Sequence, residues 1–233
     1  LLDRWALCVP PAAQALADRF WPGPLTLVLR RAPAVDLAIT GGQDTVAVRV
    51  PAHPVAQQLL RAFGGGIAAP SANRSGGVSP TSADHVLRTL DARIAAVLDG
   101  GPSARGLEST IVALRETGWQ LLREGPILWE EIESLLGAPL AITEARIEAP
   151  GQLAQHYSPG KPVRLEAREA QSDEFMIGFG NVGGVCSLSE AGDLAEAFHR
   201  QVFRLQRDEE EVGSAERVHR EHAEGRRAID EDG

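Results

Sequence analysis

Along residues 1–139, short apolar segments alternate between strand-like and helix-like patterns, and glycine or proline separates each segment from the next. Proline cannot continue a helix and glycine favours turns, so no segment can grow into a long uninterrupted element. Such alternation is typical of an α/β domain, in which helices pack on a sheet. We therefore predict an α/β fold for this part of the chain.

The individual elements are predicted from apolar periodicity and from the residues that end each segment. Helices are predicted at residues 12–20, 54–63, 82–90 and 128–136, and strands at 25–29, 45–50, 94–98, 109–114 and 119–123. The last two strands form a predicted hairpin around Thr117 and Gly118, and the triple glycine at 64–66 is predicted to turn into a further strand. Thr81 is the predicted N-cap of the helix at 82–90, with Asp84 completing a capping-box-like pair.

The composition changes after residue 139. Residues 140–160 form a predicted linker, because Pro150-Gly151 and Ser158-Pro159-Gly160 prevent a regular element there. Residues 161–233 form a predicted smaller unit with strands at 163–165 and 175–179 and a helix from about 194 to 207. The charged C-terminal stretch contains few large apolar residues, so we expect a solvated helix or disorder.

Charge and residue usage exclude several classes of protein. The chain has 32 acidic and 23 basic residues, a net charge of −9, which argues against a broad nucleic-acid-binding surface. No apolar run approaches the roughly 18 residues that span a bilayer, and no signal-peptide pattern opens the chain. We therefore expect a cytoplasmic protein with no membrane partner. Cys8 and Cys186 lie far apart, and no cluster of metal-ligating residues is found, so no metal site is predicted.

Two nucleotide-binding motifs are absent or incomplete. The pair Gly160-Lys161 is followed by Pro162 instead of Ser or Thr, so there is no Walker loop. Residues 178–183 satisfy GxGxxG after a strand-like segment, but the next residues do not begin a helix, and a helix N-terminus is what holds a pyrophosphate. A dinucleotide site is disfavoured, and it stays open as an alternative.

Two loops and two arginines suit an anionic ligand. Residues 69–81 place hydroxyls, an amide and two glycines before a helix N-terminus, which favours phosphate or carboxylate binding. An ordinary turn before a capped helix is the alternative. Residues 99–110 again place hydroxyls where a strand begins. Arg49 and Arg123 lie in apolar strands, where a charge must be paired or face a wet cavity, and each is equally consistent with a surface strand.

Five motifs resemble, in order and spelling, the YrdC-like domain of L-threonylcarbamoyl-adenylate synthases. They are Trp21 to Thr26, Val46 to Pro51, Pro70 to Asn73 with Ser79 to Thr81, Glu108 to Thr110, and Leu122 to Gly125. The linker, from Ala149 to Pro159, is similar to the connector of the two-domain form. The resemblance implies a twisted mixed sheet with flanking helices around a concave cavity in residues 1–139, a linker at 140–160, and a small α/β C-terminal domain at 161–233.

The resemblance also implies a reaction and a site. This family condenses L-threonine, bicarbonate or CO₂, and ATP into threonylcarbamoyl-AMP with release of pyrophosphate, for the t6A modification at position 37 of tRNA. Mg²⁺ is expected with ATP; the downstream t6A transferase machinery, and tRNA or double-stranded RNA, are the expected partners. The positions matched to threonine binding are Arg49, Ala69 and Ser109; those matched to ATP binding are Thr45, Ser71, Ser79, Arg123 and Tyr157; and Asn73 and His156 are expected to support them. No residue is assigned as a general base, because positioning and charge stabilisation are expected to supply most of the rate.

The chain departs from the family pattern at its start. The family's N-terminal segment, with a Lys-x-Arg motif and a threonine-binding Thr and His, has no counterpart here, and Lys161 is the only lysine. We therefore expect this polypeptide alone to be inactive or nearly so, and the full-length parent to be the enzyme.

Two further functions compete with this one. A YrdC-like module could bind double-stranded RNA without catalysis, although the acidic balance disfavours it. The same domain also serves in a carbamoyl-transfer maturation protein for hydrogenases. The motif at residues 156–159 argues against that protein, because it belongs with the two-domain synthases.

Overall fold

A four-stranded mixed sheet forms the centre of the structure. The computed structural model describes residues 2–74, 77–140, 164, 167–171 and 174–192. The sheet contains β1 (Leu25–Arg30), β2 (Thr45–Arg49), β3 (Thr110–Arg115) and β4 (Gly118–Arg123), in the spatial order β2-β1-β3-β4. β1 and β3 are parallel, and each pairs with an antiparallel outer strand. The predicted α/β class is confirmed.

The two central strands are apolar because both of their faces are covered. In β1 and in β3, every residue except the last is buried, as expected for a parallel pair between packed layers. A tight turn joins β3 to β4, with Arg115 opposite Gly118, so the predicted hairpin is confirmed. The strands predicted at 25–29, 45–50, 109–114 and 119–123 all lie within one residue of the observed bounds.

Two helices, α1 (Pro11–Phe20) and α4 (Trp129–Leu136), pack with the alternate residues of β1 in the main core. Leu16, Leu27 and Ile132 are fully buried in this core. Trp119 on β4 donates from its indole nitrogen to the carbonyl of Gly137 at 2.9 Å, which ties the end of α4 to the sheet. The predictions for these two helices agree with the structure within one residue.

The other two helices, α2 (Pro54–Phe63) and α3 (Ala83–Leu90), are capped by side chains at their N-termini. His53 Nδ1 accepts a hydrogen bond from the backbone of Val55 at 3.3 Å. At α3 the predicted cap was wrong by one residue: Ser82 is the N-cap and accepts from the backbone of His85. The helix starts one residue later than Thr81 requires, and the Thr81 hydroxyl instead contacts His85 Nδ1 at 3.2 Å.

The segments on either side of α3 form no strand. The strand predicted at 94–98 is wrong, because these residues adopt turns and irregular backbone, and Leu98 is 62% exposed. The strand expected after the triple glycine is also absent, and Ile67 is 41% exposed. A strand needs a partner for its N–H and C=O groups. No strand in the described ranges pairs with either segment.

Residues 174–192 form a small separate sheet. β5 (Ile177–Gly178) and β6 (Cys186–Ser187) are parallel, so the strand predicted at 175–179 is much shorter than expected. Glycines of the GxGxxG stretch allow close backbone packing: a Cβ on Gly178 would lie 2.3 Å from the carbonyl oxygen of Val182. The predicted helix at 194–207 lies outside the described residues, as do most of the predicted linker and of the strand at 163–165. No helix in the described ranges is long and apolar enough to cross a membrane.

Candidate active site

The candidate site lies at one edge of the central sheet, where β1 and β3 begin and β2 and β4 end. Strand register places Thr26 opposite Arg49 on β2. On the other side Thr26 lies opposite Ile111, which in turn lies opposite Arg123. Directly paired residues point to the same face of a sheet. The two arginines predicted for the site are therefore carried on the two outer strands at the same level.

Ser109 connects this edge of the sheet to Arg123. Its hydroxyl is buried and lies 2.7 Å from the hydroxyl of Thr26. Arg123 donates from Nε to the Ser109 carbonyl at 3.0 Å and from a terminal nitrogen to the Ser109 hydroxyl at 3.1 Å. These contacts fix the direction of the guanidinium group, and they confirm that Ser109 and Arg123, predicted separately, lie together.

Glu108 links the same cluster to the loop before α3. Its carboxylate accepts a hydrogen bond from the hydroxyl of Ser79 at 2.6 Å, and its other oxygen lies 3.5 Å from a terminal nitrogen of Arg123. The Glu108 side chain is 30% exposed and that of Arg123 is 13% exposed. The carboxylate therefore faces solvent more than the guanidinium that it neutralises.

Arg49 completes the charge distribution of the site. Its Nε donates to the carbonyl of Gly23 at 3.1 Å. Partial burial lowers the pKa of Arg49; Glu108 acts in the opposite direction, and Arg123 lowers the pKa further. Two guanidinium groups, one carboxylate and three hydroxyls thus converge, a set that suits an anionic ligand.

A close approach of two chain segments holds the Glu108–Ser109 pair in place. A Cβ on Gly125 would lie 2.4 Å from the backbone nitrogen of Thr110 and 2.6 Å from the carbonyl oxygen of Glu108, so only glycine fits there without displacing backbone. The Thr110 hydroxyl makes two hydrogen bonds to the backbone of Ile127, at 3.0 and 3.1 Å. The segment at residues 125–127 therefore holds the start of β3 through both a close backbone contact and hydrogen bonds.

The structure does not bring all of the predicted site residues together. Thr45 begins β2 opposite Arg30, four residues from Arg49, which at about 3.3 Å per strand residue is about 13 Å away. Ala69 and Ser71 lie on irregular, exposed backbone. The Asn73 amide donates to the carbonyls of Arg74 and Gly77 within its own loop. Tyr157 and His156 lie outside the described residues.

Thr26, Glu108 and Gly125 lie within the motifs that carry the family resemblance, but sequence reasoning assigned none of them a role in the site. Thr26 is a hydroxyl residue inside the apolar run of β1, a signal that could have marked it. The sequence does not reveal the contacts of Glu108 or Gly125. Only the pairing of β3 with β4 brings them together.

No cluster of three or more His, Cys, Asp or Glu side chains that could hold a metal ion is found in the part of the chain that the structure describes. Glu108, the carboxylate at the site, is engaged with Ser79 and Arg123.

Two family models match the chain. The model described as "Telomere recombination" covers residues 2–125, and the model described as "Threonylcarbamoyl-AMP synthase, C-terminal domain" covers residues 127–228. The chain belongs to the threonylcarbamoyl-AMP synthase family. Its two matched models confirm the predicted membership of the two-domain form; the exact boundaries predicted at 139 and 160 stay predictions.

Relatives and solved structures agree with this family. The threonylcarbamoyl-AMP synthase of Pyrococcus abyssi is 39% identical over 227 residues, which cover 88% of this chain and 67% of the relative. That of Bacillus subtilis is 40% identical over 195 residues, which cover 78% of this chain and 56% of the relative. The crystal structure of P. abyssi Sua5 complexed with L-threonine has a TM-score of 0.76 at 35% identity, and the match covers 88% of this chain and 67% of that one.

The matched part covers 67% of the P. abyssi relative, 56% of the B. subtilis relative and 45% of the Schizosaccharomyces pombe relative, so the chain spans about half to two thirds of their length. The activity, substrates and partners of a whole family member are therefore proposals for this chain.

Proposed function

We propose that this protein synthesises threonylcarbamoyl-AMP from L-threonine, bicarbonate or CO₂, and ATP, with release of pyrophosphate. The observation that carries the proposal is the convergence of Arg49, Ser79, Ser109 and Arg123 at one edge of the sheet. Curated relatives named for this reaction support it.

The threonine end of the site is assigned to Arg49 and Ser109. A guanidinium group recognises a carboxylate through paired hydrogen bonds, and Arg49 lies at the exposed end of β2 with its Nε tied to Gly23. The Ser109 hydroxyl lies 2.7 Å from that of Thr26, which pairs with Arg49 across the sheet, and it is assigned a hydrogen bond to threonine. The P. abyssi relative solved with L-threonine supports threonine as a substrate, and the two residues assigned to it stay a proposal. Ala69 stays a predicted third contact.

The nucleotide end is assigned to Arg123 and Ser79, with Ser71, Thr45 and Tyr157 as predicted further contacts. The carbamate formed from threonine and CO₂ attacks the α-phosphorus of ATP, and the bond to pyrophosphate breaks. Negative charge moves onto the leaving group in this step, and fixed cationic and hydroxyl donors stabilise it. Mg²⁺ enters as part of the substrate, MgATP, held by phosphate oxygens.

The wider setting follows from the same proposal. The product is an activated carbamoyl group, so it suits transfer to tRNA by downstream t6A machinery in the cytoplasm. The net charge of −9 argues against a broad RNA surface on this chain. Direct binding of tRNA or double-stranded RNA, and the cytoplasmic location, stay predictions.

Calorimetric titration of ATP and of L-threonine into the full chain tests the proposal. Arg123→Ala should weaken ATP binding by more than about 1 kcal/mol, because it removes a charge-assisted contact. Arg61→Ala is the matched control, since Arg61 lies exposed on α2 and contacts Gln57. The proposal fails if Arg123→Ala binds ATP as tightly as the wild type, or if threonine, bicarbonate and MgATP together yield no pyrophosphate from the full-length protein.

A further inference from the structure

Glu108 has no role in the function proposed above, although it occupies the centre of the site. Its carboxylate accepts a hydrogen bond from Ser79 at 2.6 Å and approaches Arg123 to 3.5 Å. Both partners are assigned to ATP. A carboxylate of the protein thus already occupies the donors that the phosphates of a nucleotide require.

We propose that Glu108 is a stand-in for the phosphate groups: its carboxylate neutralises the site in the ligand-free protein and releases Ser79 and Arg123 when the nucleotide binds. This inference rests on the proposed function, because it takes the incoming anion to be ATP. Glu108 is then a positioning residue that sets nucleotide affinity, and it does not touch the reacting atoms.

The hydrogen-bond distances indicate that the contact between Glu108 and Arg123 can break while Arg123 keeps its orientation. Two hydrogen bonds to Ser109, at 3.0 and 3.1 Å, already orient the guanidinium group, and the contact to Glu108 is longer than either. Loss of the longest contact leaves that orientation intact. The carboxylate is also the more exposed partner, at 30% against 13%, so it lies on the side that a ligand approaches.

The charges lead to the same conclusion. Arg49 and Arg123 repel one another, and Glu108 is the carboxylate that counters both. Arg123, whose side chain is only 13% exposed, needs such a counter-charge when no ligand is present. Once a polyanion occupies the site, the Glu108 carboxylate becomes a like charge next to phosphate, and like charges disfavour one another. Movement of Glu108 away from its partners removes that repulsion.

The test compares Glu108→Gln and Glu108→Ala with the wild-type chain, by titrating ATP and, separately, inorganic tripolyphosphate. Both variants should bind ATP roughly three- to tenfold more tightly, because an ion pair no longer has to be broken and a like charge is gone. Glu124→Gln is the matched control: Glu124 is exposed and adjacent to Arg123 in sequence. Its removal deletes the same charge and should change ATP affinity by less than about twofold.

Each outcome decides between the two proposals. If the wild type binds ATP and both Glu108 variants bind it equally or more weakly, the function stands and the stand-in is wrong. If no protein binds ATP but the Glu108 variants bind tripolyphosphate more tightly than the wild type, the stand-in survives and the function fails. Failure of both variants to fold would also overturn the stand-in, because such a residue is dispensable for folding. If no protein binds either ligand, both proposals are wrong.

Discussion

Residues on two regions of the chain were predicted for one site, and the structure treats them differently. Ser109 and Arg123 lie at the ends of paired strands, within hydrogen-bond distance of each other. Ala69 and Ser71 lie on the segment between α2 and α3, where the backbone is irregular and both residues are exposed. Hydrogen bonds between and beside paired strands position Ser109 and Arg123. No strand pairing in the described ranges positions Ala69 or Ser71.

The difference shows what fixes a functional side chain before any ligand binds. Pairing with the buried strand β1 holds the start of β3, and the close approach at Gly125 adds a second constraint. Apolar residues in the α2–α3 segment and in the segment after α3 are exposed instead of packed, as Ile67 and Leu98 show. Ser79 marks the boundary between the two regions, because its bond to Glu108 attaches the end of the segment to the sheet.

The largest expected effect is on the free energy of unfolding, and it compares a buried residue of the sheet with an exposed residue outside it. Leu27→Ala removes a fully buried side chain from the core and should lower the free energy of unfolding by about 2–5 kcal/mol. Leu98→Ala is the matched change at a 62% exposed position and should lower it by less than about 0.5 kcal/mol. Urea unfolding followed by circular dichroism measures both. Equal losses would mean that the segment around Leu98 is as well packed as the sheet.

A smaller effect is expected where the sheet edge meets the site. Gly125→Ala places a methyl group against the backbone of Glu108 and Thr110, and such overpacking costs about 1–3 kcal/mol. The displaced backbone should also weaken threonine and ATP binding, since Ser109 moves with it. Gly183→Ala is the control, because a Cβ there meets nothing within 4 Å. Unchanged stability and binding in Gly125→Ala would contradict the proposed constraint at the start of β3.

The sequence predicted the sheet well because each strand carries its own local signal. The apolar runs of β1 and β3 and the turn before Gly118 mark the strands without knowledge of their partners. Residues 94–98 carry a similar apolar run, yet they form no strand, because strand formation also depends on a neighbour that composition does not reveal. Helix ends were predicted to within one residue, and the cap at Ser82 shows how one hydroxyl can be mistaken for the next.

The site was only partly predictable for a related reason. Arg49 and Arg123 were singled out as charges in apolar strands, and the family motifs then assigned them and Ser109 to ligands; the structure shows that strand register brings the arginines to one edge. Glu108 and Thr26 were assigned no role, because their roles depend on contacts with Ser79 and Ser109 across long separations in sequence. A single sequence shows which side chains are present and only rarely which of them meet.

The last comparison sets a buried serine at the sheet against an exposed serine outside it. The exposed serine has the smallest expected effect on the free energy of unfolding. Ser109→Ala leaves the Thr26 hydroxyl and a terminal nitrogen of Arg123 without their serine partner, so it should lower the free energy of unfolding by about 1–3 kcal/mol and weaken threonine binding.

Ser71→Ala changes an exposed residue and should alter stability by less than about 0.5 kcal/mol, while still weakening ATP binding if the segment closes on the nucleotide. Thermal unfolding of each variant without ligand, with ATP and with L-threonine measures stability and binding. Because ATP stabilises only a form that binds it, a smaller ATP-induced rise in Tm for Ser71→Ala at unchanged basal Tm would show that Ser71 contributes to ATP binding and not to folding. An equal rise for wild type and Ser71→Ala would instead remove Ser71 from the site and leave the sheet edge as its binding surface.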